Sequence, residues 1–147
     1  MIASELISYD IPPLKLSDTG VKALDWMEEF KVTELPIVDD GQYLGLIGES
    51  DILDRNDIDE AISAYNLTFS TPSIQSDKHL FEVISMIVEH DVDLLPVVDS
   101  NDQYLGVITI KNILHHFSKA ISVSNPGSIL TLEVNLRDYS LSEIARM

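Results

Sequence analysis

Apolar side chains recur along this chain with two different periods, and the changes of period mark its elements. Between 80 and 88, Leu80, Val83, Ile84, Ile87 and Val88 fall at helical spacing on one face. Between 19 and 31, Leu24, Met27 and Phe30 do the same, after Ser17 and Asp18 as candidate caps. Pro36-Ile37-Val38 and Pro96-Val97-Val98 are short and rich in β-branched residues, which predicts strands with the proline at the strand start, where its missing N–H costs least. Turn-forming residues follow at 39–42 and 99–102, and Tyr43–Ile47 and Tyr104–Thr109 then supply the second strands of two hairpins. Further helices begin near Ser50 and Lys111, and short extended pieces are expected at Leu14–Leu16 and Ser73–Ile74.

These elements occur twice. LPIVDDGQYLGLIGESDIL at 35–53 matches LPVVDSNDQYLGVITIKNIL at 95–114. Pro36 and Pro96 are 60 positions apart and Gly45 and Gly106 are 61 apart, so the second hairpin loop is one residue longer. The match reaches back through Ala23, Leu24, Met27 and Val32, which align with Val83, Ile84, Ile87 and Val92. Each unit spans about 45 residues, too few to bury an independent core comfortably, so the two are expected to pack on each other. The predicted architecture is α/β: two repeats of helix, β-hairpin and helix, related by pseudo-twofold symmetry. The expected boundaries are 1–64, 65–124 and a C-terminal extension at 125–147.

The doubled pattern of helix, L-P-h-V-D, turn and G-h-h-x-x-x-D/N resembles a tandem pair of CBS domains, a Bateman module, over about residues 12 to 119. The resemblance implies a non-catalytic module that binds an adenosine-containing ligand such as AMP, ATP or S-adenosylmethionine between its repeats. It also implies relay of that binding to a partner or attached domain, and frequent dimerisation through helices. The family's ribose and phosphate signature is G-h-x-T/S-x-x-D. Here the first repeat reads Gly45-Leu46-Ile47-Gly48-Glu49-Ser50-Asp51 and the second Gly106-Val107-Ile108-Thr109-Ile110-Lys111-Asn112. The first keeps the carboxylate and lacks the hydroxyl; the second keeps the hydroxyl and has an amide in place of the carboxylate.

By that resemblance the ligand candidates are Asp51 and Arg55 in one cleft and Thr109, Lys111, Asn112 and His116 in the other. Thr109 and Lys111 suit a phosphate at a helix N-terminus. His116 shares a helix face with Asn112 and adds an expected strengthening of phosphate binding toward about pH 6. Glu49 makes the first cleft the less favourable for an anion. Asp51 and Asn112 have an alternative reading as simple helix N-caps, and the module has one as a dimerisation or adaptor unit with degenerate clefts.

Charge narrows the partners. Twenty-five acids against nine bases leave a net charge of −16, which repels phosphate backbones and anionic lipid, so neither nucleic acid nor a membrane surface is expected. With no cysteine there is no disulfide or thiolate site, and a cytoplasmic location is the simplest expectation. No metal site is expected either. The acidic run Asp54–Glu60 fails the EF-hand pattern, because Ile58 occupies a ligand place and the required glycine is absent. His115 and His116 are adjacent and diverge by about 100° on a helix. No nucleophile–base pair points to catalysis. A homodimer is expected from the surplus of apolar helix residues, with Trp26, Met27, Ile113 and Leu114 as candidate interface. Beyond Asn125-Pro126-Gly127, Ile129–Val134 alternates as a strand and Ser140–Glu143 reads as a capping box, a weak resemblance to the start of an ACT-type domain.

Overall fold

A computed structural model describes residues 1–65 and 69–122. The expected strand and capping box beyond residue 125 lie outside the described residues. The chain divides into two compact units, Met1–Asn112 and Ile113–Met147.

The first unit contains both hairpins. Helix α1 (Gly20–Phe30) leads into β1 (Glu34–Asp39), β2 (Gln42–Gly48) and the short α2 (Glu49–Leu53). The second repeat gives β3 (Ile74–Gln75), α3 (Leu80–His90), β4 (Leu94–Val98), β5 (Tyr104–Thr109) and α4 (Ile110–Ser122), the last running into the second unit. Strands β1 and β2 pair antiparallel, as do β4 and β5, and β3 adds to β4 in parallel. Leu14 bridges Ile37 in parallel, the first-repeat counterpart of β3 on β4.

Local chemistry explains the turns and ends. Asp40 (φ 49°) and Gly41 (φ 80°) form a two-residue hairpin turn with both central φ values positive, a geometry that an Asp-Gly pair favours. In the longer second loop, Asp99 Oδ1 accepts from the N–H groups of Asn101 and Gln103 at 2.8 and 3.0 Å. Helix α1 is capped by Thr19, whose hydroxyl accepts from Lys22 N–H at 3.2 Å, rather than by Ser17 or Asp18; the Asp18 carboxylate turns back to Lys15 N–H and to the Lys22 ammonium. His79 caps α3, its Nδ1 accepting from Phe81 N–H.

Two expectations are corrected. Pro36 and Pro96 are third in their strands rather than first. The Pro36 carbonyl accepts from Leu14 N–H at 2.8 Å, so its ring nitrogen also faces the Leu14 side and the β1–β2 ladder loses no donor. Val98, two residues beyond Pro96, likewise accepts from Ser76 on the β3 side. On α3, Leu80, Val83 and Ile87 are buried but Val88 is 73% exposed, because one further residue rotates it about 100° off the inward face.

The repeats exchange their leading segments. Ala3 N–H and Ser4 N–H bond to Lys78 and Ser76 carbonyls, and Ser8 N–H bonds to Val107 on β5 at 2.7 Å, so the chain start lies on the second repeat. Reciprocally, Ile62 N–H and Ser63 N–H bond to Asp18 and Leu16 carbonyls, and Leu46 N–H on β2 bonds to Ser70 at 2.8 Å. Short 3-10 turns at Ala3–Leu6 and Ile62–Tyr65 thereby bury Ala3, Leu6, Ile62 and Tyr65 in the opposite repeat's core. The crossing segments pass so close to the strands that only glycine fits beneath them. Gly45 (φ 148°) and Gly106 (φ 155°) occupy backbone conformations L-residues avoid, and a Cβ there would overlap Phe69 and Ile7 respectively. Gly106→Ala is therefore expected to destabilise the protein by about 1–3 kcal/mol, read as a lower midpoint in urea with an unchanged slope.

Candidate functional site

The two repeats meet at their strand starts, and this junction positions the site. Thr33 and Asp93 are equivalent residues, 60 positions apart, on the turns entering β1 and β4. Asp93 Oδ2 accepts from the Thr33 hydroxyl at 2.6 Å and from Thr33 N–H at 3.1 Å. Asp93 N–H donates to Glu34 Oε1 at 2.5 Å. The same two residues anchor the helices that follow the hairpins. The Thr33 carbonyl accepts from Glu49 N–H at the start of α2, and the Asp93 carbonyl from Ile110 N–H at the start of α4. Glu34 is raised above the usual carboxylate range, chiefly by burial, with the charges of Asp93 and Asp91 adding to it and the bond from Asp93 N–H opposing it.

At the start of α4 a cavity of about 490 Å³ opens. Thr109 lines it from the end of β5, Ile110 and Lys111 from α4, Glu29, Phe30, Lys31 and Val32 from the end of α1, and Ser8, Asp10 and Ile11 from the crossing N-terminal segment, with Asp93 completing it. Thr109 caps the helix: its Oγ1 accepts from Asn112 N–H at 3.0 Å, which uses a lone pair and leaves the O–H proton for an incoming acceptor. Ile11, Phe30, Val32 and Ile110 give the cavity apolar surface of the kind a flat aromatic base requires.

The structure places the expected residues unequally. Thr109 and Lys111 line this one cavity. Asn112 is the third residue of α4 rather than its cap, and its Nδ2 donates to the Leu6 carbonyl on the crossing segment. Asp51 is likewise third in α2, its Oδ2 accepting from Gly48 N–H at 2.9 Å, so the N-cap reading of both residues is corrected: Gly48 and Thr109 hold the cap positions. Arg55 is engaged elsewhere. Its guanidinium donates to the Tyr65 and Ala64 carbonyls at 3.1 and 3.3 Å and lies 4.5 Å from the Tyr65 ring centroid. His116 belongs to the second unit, half-buried beside His115.

Charge at the cavity also differs from the expectation, because folding brings in residues remote in sequence. Lys31 joins Lys111, but Asp10, Glu29 and Asp93 are there as well. No sequence pattern pointed to Asp10 or Glu29; the offset of 60 that pairs Thr33 with Asp93 was the one available signal for that junction. Of the four residues expected on an interface, Met27 and Ile113 are buried within the chain, Trp26 is half-covered beneath Lys22 and against Phe30, and Leu114 is 63% exposed. Among the described residues no group of three or more His, Asp or Glu side chains is arranged to hold a metal, and no helix is long and apolar enough to cross a membrane.

Comparison with known proteins agrees with the fold. The family model for the CBS domain matches residues 3–57 and 67–119. The chain is 26% identical over 113 residues to an inosine-5'-monophosphate dehydrogenase of Methanocaldococcus jannaschii, covering 76% of this chain and 23% of the dehydrogenase. It is 33% identical over 104 residues to a homoserine O-acetyltransferase of Methanosphaera stadtmanae, covering 67% of this chain and 20% of that enzyme. The chain thus spans less than a quarter of either relative. Among solved structures, a CBS domain pair/ACT domain protein of Thermotoga maritima superposes with a TM-score of 0.70 at 23% identity, covering 82% of this chain and 98% of that one. CBSX2 in complex with AMP superposes at 0.67 and 19% identity, covering 81% and 97%. A CBS domain pair in complex with 5'-methylthioadenosine and S-adenosyl-L-methionine superposes at 0.63 and 21% identity, covering 82% and 98%.

Two outcomes follow from the junction and from Arg55. Because Glu34 holds its proton more tightly folded than unfolded, the protein loses stability as pH rises from about 4.5 through the raised folded value. Glu34→Gln keeps an acceptor for Asp93 N–H, so it is expected to gain stability over the unmutated protein at pH 7 and to lose that advantage below about pH 4, in melts followed by circular dichroism. Arg55→Ala is expected to cost about 1 kcal/mol through its lost carbonyl bonds and ring contact, read as a lower midpoint in urea.

Proposed function

The chain belongs to the CBS-domain family, and on that premise we propose that it is a non-catalytic regulatory module whose ligand is a small adenosine-containing molecule bound at the Thr109 cavity. The observation that carries this reading is the cavity itself. It joins apolar surface for a base, a threonine hydroxyl free to donate, Lys111 and the positive end of α4 within about 490 Å³. An anionic group on the ligand, phosphate or carboxylate, sits beside Thr109 and Lys111. The ligands named for two of the fold neighbours, AMP in one and adenosyl-sulfur compounds in the other, support the adenosine class. The output is a change in how the pair engages a partner or attached domain, which requires that the ligand favour one of two states. Leu53, Phe81, Val88 and Leu114 are more than half exposed on their helices and support a homodimer as the assembled form.

The equivalent position at α2 is the weaker site. Gly48 offers no hydroxyl there and Glu49 adds a negative charge. A second reading, an adaptor with degenerate clefts, is favoured by one observation: both signature positions, Asp51 and Asn112, are spent on backbone groups.

A thermal-shift screen of AMP, ATP, S-adenosylmethionine and adenosine, with and without magnesium, separates the two readings. A rise in melting temperature with at least one compound supports the sensor, and flat curves throughout leave the adaptor. Lys111→Ala is expected to weaken a ligand with an anionic tail by about 1–2 kcal/mol while leaving adenosine nearly unaffected, measured by calorimetry. Equal losses for both would remove the role assigned to this lysine.

A further inference from the structure

The leading segment reaches the Thr109 cavity from two anchors on the second repeat. Ser8 N–H donates to the Val107 carbonyl on β5 at 2.7 Å. The fully buried Leu6 turns its carbonyl to the first turn of α4, where it accepts from Asn112 Nδ2. Asp10 and Ile11 follow and line the cavity, and then come Pro12 and Pro13, which have no N–H to give. The next bond from this segment to a strand is Leu14 N–H to the Pro36 carbonyl, on the first repeat. The wall made by Ser8, Asp10 and Ile11 therefore depends on the anchors at Leu6 and Ser8 for its position against α4.

Asn112 holds a second wall as well. Its own N–H donates to Thr109 Oγ1 at 3.0 Å, and Thr109 lines the cavity while Asn112 does not. One half-buried residue thus ties the threonine to the leading segment. The side chain must donate to do so. A carboxylate has no proton for a carbonyl and repels its oxygen. The first repeat shows where a carboxylate goes instead: Asp51, also third in its helix, turns back to the helix start and accepts from Gly48 N–H at 2.9 Å. A carboxylate in the first turn also suits the helix field, so exchanging the amide for an acid does not by itself unsettle α4.

We propose that Asn112 is a positioning residue: it clamps the leading segment onto the start of α4 and so sets the cavity wall of Ser8, Asp10 and Ile11, in place of contacting a ligand's ribose. The consequence for binding rests on the adenosine reading above; the clamp itself does not. The two readings of this position predict opposite effects of Asn112→Asp. The signature G-h-x-T/S-x-x-D implies that a carboxylate here tightens an adenosine ligand. The clamp implies that the carboxylate abandons the Leu6 carbonyl, frees the wall and weakens the ligand.

The test is amide hydrogen exchange by nuclear magnetic resonance on the full 147-residue chain, joined to calorimetry with AMP and S-adenosylmethionine. In Asn112→Asp and Asn112→Ala, protection of Ser8 N–H is expected to fall about tenfold. Asn112→Gln keeps a donor and should hold that protection within about threefold of the unmutated chain. Leu46 N–H, which bonds to the Ser70 carbonyl in the other crossing, reports general loosening and should keep its protection in all three. Whichever compound binds the unmutated chain is expected to bind Asn112→Asp at least about threefold more weakly. Unchanged Ser8 protection overturns the clamp, as does an equal loss at Leu46, or a loss in Asn112→Gln as large as in Asn112→Asp. Equal or tighter binding by Asn112→Asp overturns the positioning role and leaves the adenosine reading standing. Absence of binding by both compounds to the unmutated chain overturns the adenosine reading, and Ser8 protection then decides the clamp alone.

Discussion

Neither repeat closes its own core; each is completed by the segment that precedes the other. Ala3 and Leu6 are fully buried against the second repeat, and Ile62 and Tyr65 are almost fully buried against the first. A unit of about 45 residues exposes too much of its apolar face to be stable alone, and the exchange supplies the missing cover. The hairpin glycines answer to the same constraint. A side chain at Gly45 or Gly106 would hold the crossing strand away from β2 or β5, and the core beneath would open. The cavity wall formed by Ser8, Asp10 and Ile11 exists only because that crossing brings the chain start beside α4.

The second constraint is the polar junction at the pseudo-twofold. Thr33, Glu34 and Asp93 hold the strand starts together, and two of their carbonyls receive the first N–H groups of α2 and α4. The symmetry is broken here in side chains while it is kept in the backbone. Thr33 faces Asp93, and Glu34 stands where the second repeat has Leu94. A half-buried acid beside two others is unfavourable when charged, and the bond from Asp93 N–H offsets part of that cost. Order at the two helix starts thus depends on one small hydrogen-bonded group.

Much of the fold was legible because it is written in local periods. The spacing of Val83 and Ile87, the alternation through both hairpins and the Asp40-Gly41 turn each act within a few residues, and the repeat doubles every signal. Proline position and cap identity were less legible. Whether Pro36 can sit inside a strand depends on which side Leu14 approaches, and whether Asp18 or Thr19 caps α1 depends on where Lys15 and Lys22 lie. The lining of the candidate cavity was readable at Thr109, which stands in a signature position, and at Lys111 two residues on. It was unreadable where it depends on the exchange: Asp10 and Glu29 are some eighty to one hundred positions from Thr109, and no period connects them. Arg55 shows the converse, a residue of plausible chemistry that the 3-10 turn at Ile62–Tyr65 draws away to its own carbonyls.

The exchange of leading segments also bears on how such a chain could arise. A single copy of the repeat would carry one leading segment and one groove to receive it, and two separate copies would satisfy each other reciprocally, as swapped protomers do. Joining both copies in one polypeptide turns that association into an intramolecular event, with an effective concentration in the millimolar range for a short link. Once the partner is always present, the two copies no longer need the same surface. One can keep a carboxylate where the other has an amide, and one a glycine where the other has a threonine, as Asp51 and Asn112, and Gly48 and Thr109, now do. The fused pair can therefore specialise its two halves, a freedom that a dimer of identical chains does not have.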